Sequence, residues 1–208
     1  ELFVAKHYRD LILGFSTQGS IGPVGIHGDI SLTIPFGDGA LAFEALSEPT
    51  QFRMVVGADG RSPHGTALMA EFYVQSFGAD ESEDYFRTAM DQRVQRGDYW
   101  TLGHAYVALS LSQEITPVLY LGGMTILNVM DPSALLGPSL TWSISSGVDL
   151  AAGGFLAVGN RPPTVDLLSL IGPDGQPLSP EQAVQNIDSA SEFGLMPHQA
   201  YVQLKVYF

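Results

Sequence analysis

The pair best placed for chemistry is His27 and Asp29, two residues apart in a stretch that alternates polar and apolar side chains. On an extended strand that spacing puts both on one face, as a His–carboxylate pair or two metal ligands require. Ser31 continues the face, so a Ser/His/Asp set can be drawn from Ser31, His27 and Asp29. Nothing else in the chain supports either chemistry. The five histidines contain no H-x-x-x-H pair, and no G-x-S-x-G nucleophile elbow occurs. No P-loop or dinucleotide fingerprint is present. The acidic run Asp80, Glu81, Glu83 and Asp84 offers hard oxygen ligands, but without the ordered spacing and glycine of an EF-hand loop it reads as a solvated charge run. The expectation is a protein that is not an enzyme and carries no metal or cofactor.

The remaining polar candidates share one property. Arg53, Asp59, Glu71, Tyr73, Gln75, His104, Tyr106, Gln203 and Lys205 all fall, with His27 and Asp29, on the polar parity of alternating segments. In 24–36, Val24, Ile26, Ile30, Leu32, Ile34 and Phe36 oppose His27, Asp29, Ser31 and Thr33. In 66–75, Leu68, Ala70, Phe72 and Val74 oppose Glu71, Tyr73 and Gln75. Period-2 alternation marks strands with one apolar and one polar face. Runs of this kind place about nine strands, near 8–17, 23–36, 51–59, 65–77, 99–113, 117–129, 136–146, 149–159 and 196–208. Those at 117–129 and 149–159 are apolar on both parities, so their inner side should be small or plugged. No amphipathic helix of useful length appears; a short one is expected at 180–187, after Ser179 and Pro180.

The connections alternate in length. Short ones lie at 18–22, 60–64, 113–117 and 146–148, and longer ones at 37–50, 78–98, 130–135 and 160–195. Composition fits the same picture. Charged residues are 15% of the 208, against about 25% in an average soluble domain. Hydrophobicity is dispersed in short pieces, and no run approaches the roughly 18 apolar residues of a spanning helix. A barrel wall spreads its apolar residues this way because only alternate residues face lipid. The chain has no cysteine, which suits passage through an oxidising compartment. A net charge of −13 with 9 Lys plus Arg excludes a nucleic-acid footprint.

The C-terminus carries a resemblance. Ala200, Val202, Leu204, Val206 and the terminal Phe208 share one parity, opposite Tyr201, Gln203 and Lys205. This resembles the C-terminal signature of bacterial outer-membrane barrels, which the barrel-insertion machinery reads. The run from His104 to Gly159 also looks like the hairpin succession in the C-terminal half of porin-like proteins. The resemblance implies one outer-membrane domain over 1–208, an all-β antiparallel transmembrane β-barrel of nine to ten strands in this chain, part of a larger barrel. It implies passive diffusion of small solutes or ions, with the eleven polar-parity residues lining the lumen. The alternative is a structural barrel that anchors or plugs an envelope assembly. Implied partners are outer-membrane lipid, lipopolysaccharide, small solutes, the insertion machinery, and the missing barrel segment or other envelope proteins. The long loops would be external and the C-terminus periplasmic. Nine strands would then put Glu1 on the external side, where a complete barrel does not start; a strand hidden in 40–47 or 164–171 would restore the parity. Aromatics near strand ends, Tyr99, Trp100, Trp142, Tyr207 and Phe208, suit interfacial girdles.

Overall fold

The computed structural model describes residues 1–35, 49–161, 176 and 190–207. The expected helix at 180–187, Phe36 and Phe208 lie outside the described residues. Within them the chain is all-β: ten antiparallel strands form one sheet in strict sequence order. They are β1 (Leu2–His7), β2 (Asp10–Ile21), β3 (Val24–Pro35), β4 (Gln51–Arg61), β5 (Ala67–Gln75), β6 (Ala105–Thr116), β7 (Leu119–Asn128), β8 (Ser133–Ser145), β9 (Val148–Val158) and β10 (Gln199–Val206). Each of the nine expected strands has its counterpart. The tenth is β1, whose six residues are too few to announce a period against their neighbours.

That strand corrects the parity argument. With ten strands Glu1 lies at the same end of the sheet as β10's C-terminal end, and neither 40–47 nor 164–171 is needed to put it there. The connection from β1 to β2 is the two-residue turn Tyr8–Arg9, in which Tyr8 holds φ 49. This left-handed backbone is unfavourable for a residue with a Cβ. Two contacts fix the side chain there: the His7 ring meets Tyr8 edge-on at 4.6 Å, and the Arg96 guanidinium lies 4.7 Å over it.

Loop length segregates by end. At one, the turn end, the connections are 22–23, 62–66, 117–118 and 146–147. Gly22, at φ 59, makes the first of these tight turns possible. At the other, the loop end, are 36–50, 76–104, 129–132 and 159–198, together with the short turn at 8–9. The turn expected at 113–117 is narrower than its composition suggested, because β6 continues through Gln113, Glu114 and Ile115 to Thr116 before Pro117 and Val118 reverse the chain.

Register fixes the two faces. The row Ile30–Met54–Val74 lies on the apolar face and the row Ser31–Arg53–Gln75 on the polar one, each continuing across β3, β4 and β5. The apolar face is open: Ile30, Leu32, Val56, Leu68, Phe72, Leu109, Leu140, Trp142, Val202 and Leu204 are all exposed. The buried residues lie instead toward the polar face, at the loop end. There two segments fold onto the sheet. One is the β5–β6 connection, with a 3₁₀ turn (Ser82–Asp84) and two short helices, α1 (Tyr85–Ala89) and α2 (Gln92–Gln95). The other is 190–198, with a 3₁₀ turn at Phe193–Leu195. Phe193, fully buried, packs with Tyr106 and Ile126, flanked by Leu135 and Ala108. This explains why β7 is apolar on both parities: Ile126 on its inner side lies under the Phe193 plug.

Among the described residues β1 pairs only with β2 and β10 only with β9, so the sheet is not closed into a barrel. No described helix is long and apolar enough to cross a membrane.

The β5–β6 segment reaches back across the polar face to β2. Arg93 of α2, nearly buried, donates from Nη2 to Asp10 Oδ1 at 3.0 Å. Removing one partner of a buried pair strands a charge, at a cost of roughly 3–5 kcal/mol, whereas apolar replacement of both is often tolerated. Arg93→Met should therefore lower the unfolding midpoint sharply, and Asp10→Leu with Arg93→Met should recover most of the loss in denaturant melts. Equal loss in the single and the double variant would contradict this role.

Candidate functional site

All eleven residues singled out as polar-parity candidates are found on the polar face or at its margin. They do not form one cluster. Asp29 is exposed, and His27 pairs across the sheet: its Nε2 donates to Glu71 Oε1 at 2.9 Å. The row is His27–Gly57–Glu71, with the glycine between the two partners. A Cβ at Gly57 would overlap the His27 imidazole, so the bare backbone is what lets the two side chains meet over β4. Gly25 is covered by the Asp59 carboxylate in the same manner, with Oδ1 2.6 Å from where a Cβ would stand. The polar side chains here lie along the sheet.

The set Ser31, His27 and Asp29 is not assembled. At about 3.3 Å of rise per residue, Ser31 and His27 stand roughly 13 Å apart, far beyond hydrogen-bond reach. Among the described residues no three His, Asp or Glu side chains converge as a metal site.

Toward the loop end the polar candidates join a continuous network. Arg53 Nη1 donates to the Asp98 carbonyl at 3.1 Å, and its guanidinium lies 4.9 Å over the Tyr99 ring. Tyr99 itself stacks on Phe77 at 4.3 Å and is buried, so it is no part of an interfacial girdle. Burial raises its phenol pKa, with Arg53 and Arg93 opposing the rise. Trp100, Trp142 and Tyr207 are exposed. Tyr73 donates to Gln75 Oε1 at 2.6 Å, and Gln75 Nε2 donates to the Thr101 carbonyl and hydroxyl and to the Gly103 carbonyl. His104 donates from Nδ1 to the Gln75 carbonyl at 3.1 Å and faces Asp80 through Nε2 at 3.2 Å. Gln203 and Lys205 stand apart from this network, exposed on β10.

The centre of the network is a residue that periodicity does not reveal. Glu192, 1% exposed, enters from the β9–β10 connection. Its Oε2 accepts from the Tyr106 hydroxyl and from Asn128 Nδ2, both at 2.6 Å, and its Oε1 accepts from Leu102 N at 2.7 Å. Its own backbone N donates to Asp131 Oδ2 at 2.6 Å. Four separate pieces of chain therefore meet at this one residue: the β5–β6 connection, β6 and β7 at its carboxylate, and the β7–β8 turn at its backbone N. Burial raises the Glu192 pKa; the donors Tyr106, Leu102 N and Asn128 oppose the rise, and the charge of Asp131 adds to it. Tyr85 is likewise raised by burial and by the charges of Asp131 and Glu192. The one sequence signal for this site was Asn128, an amide ending the apolar run of β7 in register with Tyr106.

Chemically the site is a clamp. It holds the loop-end segments against the polar face. The chain matches no known protein-family profile, no curated protein and no solved structure.

Replacing Glu192 with Ala would leave Tyr106, Asn128 and Leu102 N without their acceptor in a buried setting, at roughly 1–3 kcal/mol for each unsatisfied group. Hydrogen exchange should rise in 190–196 and around 101–103 and stay unchanged at the turn end of β2 to β5. Uniform acceleration over the whole sheet would show that the clamp is global. Gly57→Ala should separate His27 from Glu71, so that His27→Ala and Glu71→Ala become additive in a double-mutant cycle of unfolding free energies; a retained interaction energy would count against the glycine's role.

Proposed function

We propose that this chain is part of the wall of an outer-membrane channel for small solutes or ions, with the apolar face of its sheet against lipid and the polar face against water. The observation that carries the reading is the inverted partition of side chains. Exposed leucines, isoleucines, valines and phenylalanines dominate one face, while His27, Asp29, Arg53, Asp59 and Glu71 stand on the other. In water such a face would be a very large apolar patch, well beyond the few hundred Å² that soluble monomers tolerate. In hydrocarbon it is the favoured arrangement. The three long connections, 36–50, 76–104 and 159–198, all lie at one end and support the same reading, with the turn end periplasmic. Among the described residues the outer edges of β1 and β10 have no strand partner, so the reading requires further strands to complete the wall. An open edge in hydrocarbon leaves backbone N–H and C=O groups unsatisfied at several kcal/mol each. The expected partners are lipid, lipopolysaccharide and the insertion machinery, and the expected location is a bacterial outer membrane.

A second reading is favoured by one specific observation. The 190–196 segment and the β5–β6 connection cover the polar face at the loop end, with Tyr106 and Phe193 sealed beneath them. A barrel so covered would be narrowed or plugged and would serve as an anchor.

Planar-bilayer conductance of the detergent-refolded full-length protein distinguishes the two. Discrete, ohmic channels are expected for the first, and silent insertion for the second. A chain that stays monodisperse without detergent would overturn both. Arg at Leu32 or Leu204 should cost roughly 2–4 kcal/mol if the position lies at the midplane, and Arg at Ser31 or Gln203 far less. Equal costs on both parities, measured by denaturant titration in lipid vesicles, would contradict a wet inner face.

A further inference from the structure

An ion in a narrow water-filled passage is sorted by the fixed charges along its wall. All nine Lys and Arg of the chain lie among the described residues, so the positive charge available to the polar face is fully located. Lys6 falls on the apolar parity of β1, in the row of Leu11 and Ile34. Arg9 and Arg161 lie in loop-end connections. Arg87, Arg93 and Arg96, at the same end, meet Asp84, Asp10 and Asp98. Lys205 stands opposite Asp149 across β9 and β10. Only Arg53 and Arg61 remain on the polar face of β3 to β5, and they bound it. Arg53 is held at the loop end by the Asp98 carbonyl and the Tyr99 ring, and Arg61 closes β4 at the turn end.

Between those two arginines the face carries Asp29, Asp59 and Glu71. Glu71 is engaged by the His27 ring, whereas among the described residues neither Asp29 nor Asp59, both exposed, forms an ion pair. From β6 to β9 the polar parity adds Glu114 and Asp149 and no Lys or Arg. The three carboxylates are spread over three strands and do not converge to chelate an ion. Selection needs no chelation. By ladder spacing Asp59 and Glu71 stand about 8 Å apart, and Asp29 about 12 Å from Glu71, close to the Debye length of about 10 Å in 0.1 M salt. Their fields therefore overlap along the wall, which concentrates cations there and repels anions. We propose that the channel passes small cations in preference to anions of the same size, and that Asp29, Asp59 and Glu71 on β3 to β5 set the preference. The inference rests on the transport reading above and adds to it the class of solute.

The test is the reversal potential of the full-length protein in planar bilayers between unequal KCl solutions. At about 0.1 M KCl, K⁺ should be favoured over Cl⁻ severalfold; at about 1 M, where the Debye length falls to about 3 Å, the preference should approach unity. Asp29→Asn with Asp59→Asn, both at exposed positions, should at least halve the low-salt preference, and Asp29→Lys with Asp59→Lys should turn it toward Cl⁻. Lys6→Gln, on the apolar parity, should leave it unchanged. Conducting channels without a cation preference, or with one untouched by the Asp29 and Asp59 double variants, would overturn the inference and leave the transport reading standing. Silent insertion would overturn both.

Discussion

The twofold repeat of the antiparallel ladder is the constraint on which the rest of this structure depends. Successive side chains point to opposite faces, and pairing in register extends that choice across all ten strands. A slip of one residue in any pair would carry an entire apolar set to the other side. The sequence resists slippage because nearly every strand carries its own alternation and short turns tie five of the hairpins. The result is a single layer with two chemically distinct faces, of which the apolar one is uncovered.

A single-layer sheet has no interior of its own, so what burial there is must come from the connections. The Glu192 carboxylate organises it at the loop end of β6 to β8, and the Arg93–Asp10 pair extends it to β2. The two anchors differ in kind. Arg93 and Asp10 neutralise each other, whereas Glu192 is held by neutral donors beside a second acid, Asp131. Among the described residues nothing folds over the turn end, whose polar face carries pairs such as His27 with Glu71.

Much of the fold was legible in the sequence because a strand's alternation is local. Val24 to Ile34 declares its two faces without reference to any other residue. The ordering of short and long connections was legible for the same reason, since Gly, Pro and polar runs mark where pairing stops. What escaped was whatever depends on long-range contact. The six residues of β1 acquire their identity only by pairing with Leu11 to Phe15. Tyr99 reads as an interfacial aromatic until the β5–β6 connection folds inward and buries it against Phe77. Glu192 sits in a segment with no period at all, and its importance comes from partners that lie 61 to 90 residues away in the chain. His27 and Asp29 looked like a pair by spacing, but the glycine opposite His27 opened a shorter route to Glu71.

The central claim is that the uncovered apolar face meets hydrocarbon while the polar face meets water. Spin labels placed one at a time along β3 and β10, in protein reconstituted into lipid vesicles, measure this directly through collision with oxygen, which concentrates in lipid, and with a water-soluble nickel chelate. Oxygen accessibility should peak at Ile26, Ile30, Leu32, Val202 and Leu204, and nickel accessibility at His27, Asp29, Ser31 and Gln203, the two oscillating out of phase with a period of two residues. Both reagents in phase, or oxygen contact on neither parity, would contradict the account.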